Sequence, residues 1–154
     1  MSTTVTLGDI KATQARLAEM IACLESQQQT RTIDLPATTI ILHPGERYAG
    51  IVLGQDAEQR YHLILLPGEA EDVTHEAATE WAASIAGEQP TRSEQALLFA
   101  NLKDQFAKAA YWAAPRHESD PDYAWYQYFS YGGQDFFHRS GQLRARAVRR
   151  LIIQ

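Results

Sequence analysis

Residues 73–98 read VTHEAATEWAASIAGEQPTRSEQALL, and this stretch sets the fold class. Two helices begin inside it and one ends. Thr74, or Asp72 just before it, can cap a helix over 72–86, along which Val73, Ala77, Trp81 and Ile85 recur at a four-residue step. Gly87 is placed to end that helix. Pro90 then precedes Thr91, and Glu94 stands three residues further on. That is the spacing of a capping box, in which two side chains satisfy each other's backbone N–H groups. The second helix runs over 91–106, with Leu97, Leu98, Asn101, Leu102 and Phe106 on a largely apolar face.

Strand patterns lie on both sides of this helix pair. Upstream, TIDLPATTIIL (32–42) is β-rich, with Pro36 at an edge or a break. AGIVL (49–53) and YHLILL (61–66) flank the polar GQDAEQ (54–59) as a hairpin with a long turn, and Pro67-Gly68 closes it. Downstream, YWAA (111–114) and DYAWYQYF (122–129) are strands. The second alternates strictly, with Tyr123, Trp125, Gln127 and Phe129 on one side and Ala124, Tyr126 and Tyr128 on the other. SYGGQ (130–134) reads as a turn and LRARAVRRLII (143–153) as the closing strand. Strands segregated around a helix pair predict an α+β domain.

A separate helix is expected over 7–28. Thr6 can cap it, with Asp9 reaching back. Leu7, Gln14, Ile21 and Gln28 fall at one heptad position and Ile10, Leu17 and Leu24 at the other, which is a coiled-coil seam about three heptads long. Such a helix either packs on its own domain or oligomerises. Oligomerisation, with a trimer as the expected form, divides the chain into residues 1–30 and a domain over 31–154.

Composition narrows the function. Apolar residues make up 45% of the chain and charged residues 21%, too apolar for a disordered chain. No run approaches ~18 apolar residues, so no membrane span is expected. MSTTVTLGDIK does not read as a secretory signal. One cysteine, Cys23, leaves no internal disulfide and no thiolate zinc site. His75-Glu76 is followed by Thr79 where a metalloprotease motif would need a second His. No GxSxG elbow or glycine-rich phosphate loop is present, so neither an enzyme nor a cofactor is expected. The loop acids Glu69, Glu71, Asp72, Asp120 and Asp122, and His117 among Arg116 and Glu118, read first as solvated groups.

Charge is uneven. Residues 1–138 hold 9 Lys and Arg against 19 Asp and Glu, whereas 139–154 hold five arginines (139, 144, 146, 149 and 150) and no acid. The tail alternates apolar and Arg like a strand with one wet face, and the acidic remainder repels phosphate. Nucleic acid is therefore not the expected partner. Aromatics are uneven too: ten of fifteen fall within 111–137, more than core packing needs.

Gly87, Pro90, Thr91 and Glu94 between two helices, then Tyr111-Trp112, then Ala124-Trp125 with Phe129, a Gly turn and RARAVRRL, together resemble the C-type-lectin fold in its formylglycine-generating-enzyme-like variant. The closer likeness is to prophage and bacterial domains of the type that ends the collagen-like Lcl adhesin. The resemblance covers roughly 45–154. It implies two helices on a small twisted, mostly antiparallel sheet, with Trp125 and Phe129 in the core. Gln89 stands where that family more often has Leu. The catalytic cysteines of formylglycine-generating enzymes and the Glu-Pro-Asn and Trp-Asn-Asp motifs of animal C-type lectins have no counterpart, so neither copper catalysis nor calcium-dependent sugar binding is carried over.

The family implies receptor binding through the last strands, in some members diversified by retroelements. Tyr126, Tyr128, Tyr131, Phe136, Phe137 and His138 are then expected to form one exposed aromatic patch, with Gln134, Asp135 and Arg139 orienting the ligand. The other arrangement packs these rings inward against the helices. The expected function is a phage- or prophage-encoded receptor-binding protein, virion-associated or cytoplasmic before assembly, whose partner is a host-surface protein or glycan. The alternative is a structural virion or assembly protein using the same face for subunit contacts.

Overall fold

A computed structural model describes residues 4–29, 34–54 and 59–153. The chain divides into two units, 1–37 and 38–154. The first contains α1 (Leu7–Gln28), closed at its start by the Thr6/Asp9 capping box. No residue of α1 is buried, and Leu7, Ile10, Leu17, Ile21 and Leu24 are all about half exposed or more. No helix among the described residues is long and apolar enough to cross a membrane.

The second unit is α+β and holds two sheets. β1 (Arg47–Val52), β2 (Tyr61–Leu65) and β8 (Val148–Ile152) form an antiparallel sheet in that order. The expected hairpin is therefore present, although most of its turn, 55–58, lies outside the described residues. A bulge between Tyr48 and Gly50 interrupts β1. Gly50 sits at φ +130°, and a Cβ there would come 3.4 Å from Asn101 Nδ2. No strand forms over the described part of 32–42, residues 34–42; residues 32 and 33 lie outside the description.

The larger sheet runs β3 (Ala70–Val73), β7 (Leu143–Ala145), β4 (Ala110–Arg116), β5 (Tyr123–Tyr128) and β6 (Gln134–His138). Only the β4–β7 pair is parallel. The closing run 143–153 is therefore two strands. It breaks at Arg146 and Ala147 and changes sheets there.

Pleating sends neighbouring residues to opposite faces, and Tyr111 and Trp112 show the result. Tyr111 enters a core with Leu63, Leu65, Leu98, Phe129 and Val148, under α3 (Arg92–Leu102). Trp112 enters a second core with Ala70, Ala78, Ala124 and Ala145, under α2 (His75–Ser84). On α2 the buried positions are His75, Ala78 and Ala82, one side of the expected stripe, and Ile85 is exposed. The two alanines let the helix approach the sheet closely, so the larger Trp81 and Ile85 are displaced to the rim.

The end of α2 also differs from expectation. Gly87 N–H donates to Ala82 O and Ala86 N–H to Ala83 O, a Schellman pair in which Ala86, at φ +59°, occupies the left-handed position. Gly87 serves packing instead, since a Cβ there would fall 2.5 Å from Leu66 Cδ1. α3 begins with the expected Thr91/Glu94 box and ends at Leu102, before a single 3-10 turn over Lys103–Gln105.

Candidate functional site

The C-terminal arginines are tied into the fold. Arg144 bridges Glu69 and Glu71. Buried Arg146 donates to the carbonyls of Gln105 and Leu66. Arg149 clamps Glu46 with two nitrogens. Arg150 clamps fully buried Glu94 in the same way and also reaches Glu88. Glu94 accepts the Tyr61 hydroxyl as well, and burial together with that carboxylate pushes the Tyr61 phenol up to about 12. Arg139, like Arg146, has no carboxylate partner among the described residues, and unlike Arg146 it lies at the surface of a cleft.

β6 was not foreseen, and it decides where the aromatic residues go. It is the edge of the larger sheet, paired to β5 with Trp125 opposite Phe136, Ala124 opposite Phe137 and Tyr126 opposite Asp135. Alternation then splits the expected patch across the two faces. Phe136 and His138 share one face with Tyr123 and Trp125, whereas Phe137 lies on the other with Tyr126. Phe136 and Phe137 are each 44% exposed. Tyr131, 73% exposed, lies tilted beside half-buried Tyr128, with ring centroids 5.3 Å apart.

The first face carries a continuous run of rings. Tyr123 meets His138 at 5.3 Å and Phe136 at 5.9 Å. Phe136 meets His117 at 4.4 Å and Trp125 at 5.6 Å, and His117 stacks on Trp125 at 5.4 Å. Trp125 is half-buried at this surface and not in the core, while Phe129 does lie in the core as expected. The Arg92 guanidinium covers the Trp125 ring with its carbon 3.5 Å from the centroid. The buried Trp125 indole N–H closes no full hydrogen bond among the described residues. Beside it, Glu118 is held below the usual carboxylate range, chiefly by its own backbone N–H.

Gln134 and Asp135 have structural partners. Gln134 accepts from Arg92 Nε, donates to Arg92 O, and also donates to Gln127 Oε1, which lies over α3. The Asp135 carboxylate accepts the outward Phe136 N–H at the sheet edge. Gln134 is thereby committed to the packing against α3, whereas Asp135 is exposed at the sheet edge.

Arg139 separates two clefts. One, of about 330 Å³, lies among Thr74, Glu76, Asp122, His138, Arg139 and Ser140. The other, of about 510 Å³, adds His75, Thr79, Glu80 and Arg116 to Glu76 and Arg139. At its base His75 is buried, with Nε2 2.9 Å from Ala113 O and Nδ1 3.2 Å from Arg139 Nε. Because guanidinium only donates, Nδ1 accepts and Nε2 carries the proton. Burial first, and the nearby Arg139 and Arg116 charges after it, hold the His75 pKa low. Gln89 is buried and donates to Thr79 Oγ1, behind the same helix.

Ser140 Oγ lies 2.6 Å from His138 Nδ1, but the two residues share one turn and nothing among the described residues orients the other ring nitrogen. No cluster of three or more His, Cys, Asp or Glu among the described residues could hold a metal. Comparison of the chain with protein-family models finds no match, and comparison with curated proteins finds none either. The ring run was partly legible, since strand alternation grouped Tyr123 with Trp125. His117, Arg92 and the cleft acids join their sites only through tertiary packing.

Proposed function

We propose that residues 38–154 form a ligand-binding domain of the C-type-lectin-like kind, acting by recognition and not by catalysis. The observation that carries this reading is the edge hairpin β5–β6. It presents Phe136 and Phe137 to solvent on its two faces, each set among further rings, with Tyr131 at the tip. Rings of low rotamer freedom on a stiff support lose little entropy on binding. Stiffness comes from the Arg92–Gln134–Gln127–Gln95 ladder to α3. The helix pair set between an early strand pair and the closing strands supports the lectin-like assignment.

In this reading the protein is a receptor-binding protein of phage or prophage origin, virion-associated in its working state and directed at a host-surface protein or glycan. Its last strands are the segment a retroelement would diversify. The exposed apolar seam of α1 joins copies into a trimer, which raises effective concentration for weak contacts.

The test replaces Phe136 and Phe137 with alanine and follows two quantities: adsorption of labelled protein to a panel of intact bacterial cells, and mass by light scattering. The expected result is adsorption reduced tenfold or more with trimer mass unchanged. Loss of assembly with adsorption intact would instead make the hairpin a subunit contact and the protein a structural virion component.

A further inference from the structure

Three tail arginines, Arg144, Arg149 and Arg150, are ion-paired, and Arg146 is buried against backbone carbonyls, whereas Arg139 is held at a cleft without a counterion. The Arg139 backbone is fixed at both ends, its N–H donating to Asp122 O and its carbonyl accepting from His75 N–H. Its Nε donates to His75 Nδ1. That contact orients the guanidinium, while its two terminal nitrogens have no partner among the described residues. Arg116, at the end of β4, lines the same 510 Å³ cleft and also has no ion pair among the described residues.

The acidic part of the lining comes from α2. Glu76 and Glu80 are one turn apart and so share a helix face, with Thr79 between them. No ion pair crosses from these acids to the two arginines. The cleft therefore gathers two positive and two negative groups that make no ion pair with one another. Its volume is within the range of small-molecule sites. A simple anion entering it would face two carboxylates, and a simple cation two guanidinium groups. Only a molecule carrying both charges satisfies both sets of groups.

We propose that this cleft binds a small zwitterion of the amino-acid or short-peptide class, its carboxylate on Arg116 and Arg139 and its ammonium on Glu76 and Glu80. Guanidinium offers the carboxylate a forked pair of donors, and the Thr79 hydroxyl supplies a neutral polar contact between the two ends. His75 is a positioning residue, because it touches Arg139 and not the ligand.

The full-length protein is titrated with glycine, diglycine and triglycine, which separate the two charges by increasing distances. Acetate and methylammonium at matched ionic strength are the single-charge controls. Backbone amide shifts near residues 79, 114 and 139 provide the readout. One zwitterion is expected to saturate these shifts at least tenfold more tightly than either control. Arg139→Gln and, separately, Glu80→Gln should each remove that preference. Glu80 is exposed on its helix, so its variant folds even if the Arg139 variant does not. Phe136→Ala should leave the binding unchanged, which separates this site from the ring surface. Equal binding of acetate and the zwitterions, no saturable shift with any probe, or an unaltered preference in Glu80→Gln would each overturn the assignment.

Discussion

α2 and α3 flank the same sheet and are held against it in opposite ways. α3 is fastened by charge. Its third residue, Glu94, is fully buried, closes the capping box and is clamped by Arg150 from β8 and by Tyr61 from β2. α2 is fastened by proximity, through Ala78 and Ala82 against the sheet, and its own acids, Glu76 and Glu80, face a cleft unpaired. The difference teaches where to look for function. Charges that are desolvated and matched inside the fold specify structure. Charges of both signs left unpaired in one cleft are available to something else.

The sharpest way to break this comparison is Glu94→Gln. The amide still accepts the Thr91 N–H, so the helix cap survives, but Arg150 loses its buried two-nitrogen clamp and keeps only the exposed Glu88 carboxylate. Removing one partner of a buried pair costs about 3–5 kcal/mol, and the partial exposure of Arg150 places this case at the lower end, near 3 kcal/mol. Urea unfolding measures it. Glu71→Gln, which removes an exposed partner of Arg144, is the control and should cost about 0–1 kcal/mol. Equal costs for the two would mean that the α3 clamp is no more structural than a surface pair.

A second measurement concerns the base of the α2 cleft. The His75 pKa is lowered from its ordinary 6.5, by burial first and by Arg139 and Arg116 next. The folded state therefore binds a proton on His75 less readily than the unfolded chain. The stability linked to this group is fully present above pH 6.5 and is lost as pH falls below that value towards the lowered one. Protonation also removes the acceptor that holds Arg139 Nε. Urea midpoints taken between pH 8 and pH 5 should fall more steeply in the wild type than in His75→Gln, which cannot titrate. Parallel pH profiles would show that His75 is not the group responsible.

How much of this was legible follows from how local each signal is. The capping boxes at Thr6/Asp9 and Thr91/Glu94 need only three residues of spacing, and both are present. β3 was missed because AEDV is short and polar, and β6 because QDFFH follows a glycine turn with almost no alternation of its own. Without β6, the split of the aromatic residues between two faces could not be seen. Arg146 read as one more wet residue of a single closing strand. It is buried because the chain crosses between sheets there, where two carbonyls and the Phe106 ring receive it. The 510 Å³ cleft draws on residues from 75 to 139, and no spacing rule joins them.

The smallest predicted effect lies at the end of α2. Ala86 holds φ +59° because Gly87, the residue that would tolerate the left-handed turn, is pressed against Leu66 and Ala147 one position later. An L-residue in that conformation costs about 1–2 kcal/mol, whereas glycine adopts it freely but loses more entropy on folding. Ala86→Gly should therefore raise stability by a net of about 0.5–1 kcal/mol. Gly87→Ala should lower it by more, since its Cβ would meet Leu66 at 2.5 Å and Ala147 at 3.1 Å. If α2 is held by close approach, the two changes must have opposite signs in thermal unfolding. If both were neutral, the helix end would be loose and the cleft wall carried by α2 would lack a fixed position. A stabilised Ala86→Gly variant would hold Glu80 on a firmer helix and leave the affinity of the cleft for its zwitterion unchanged or improved.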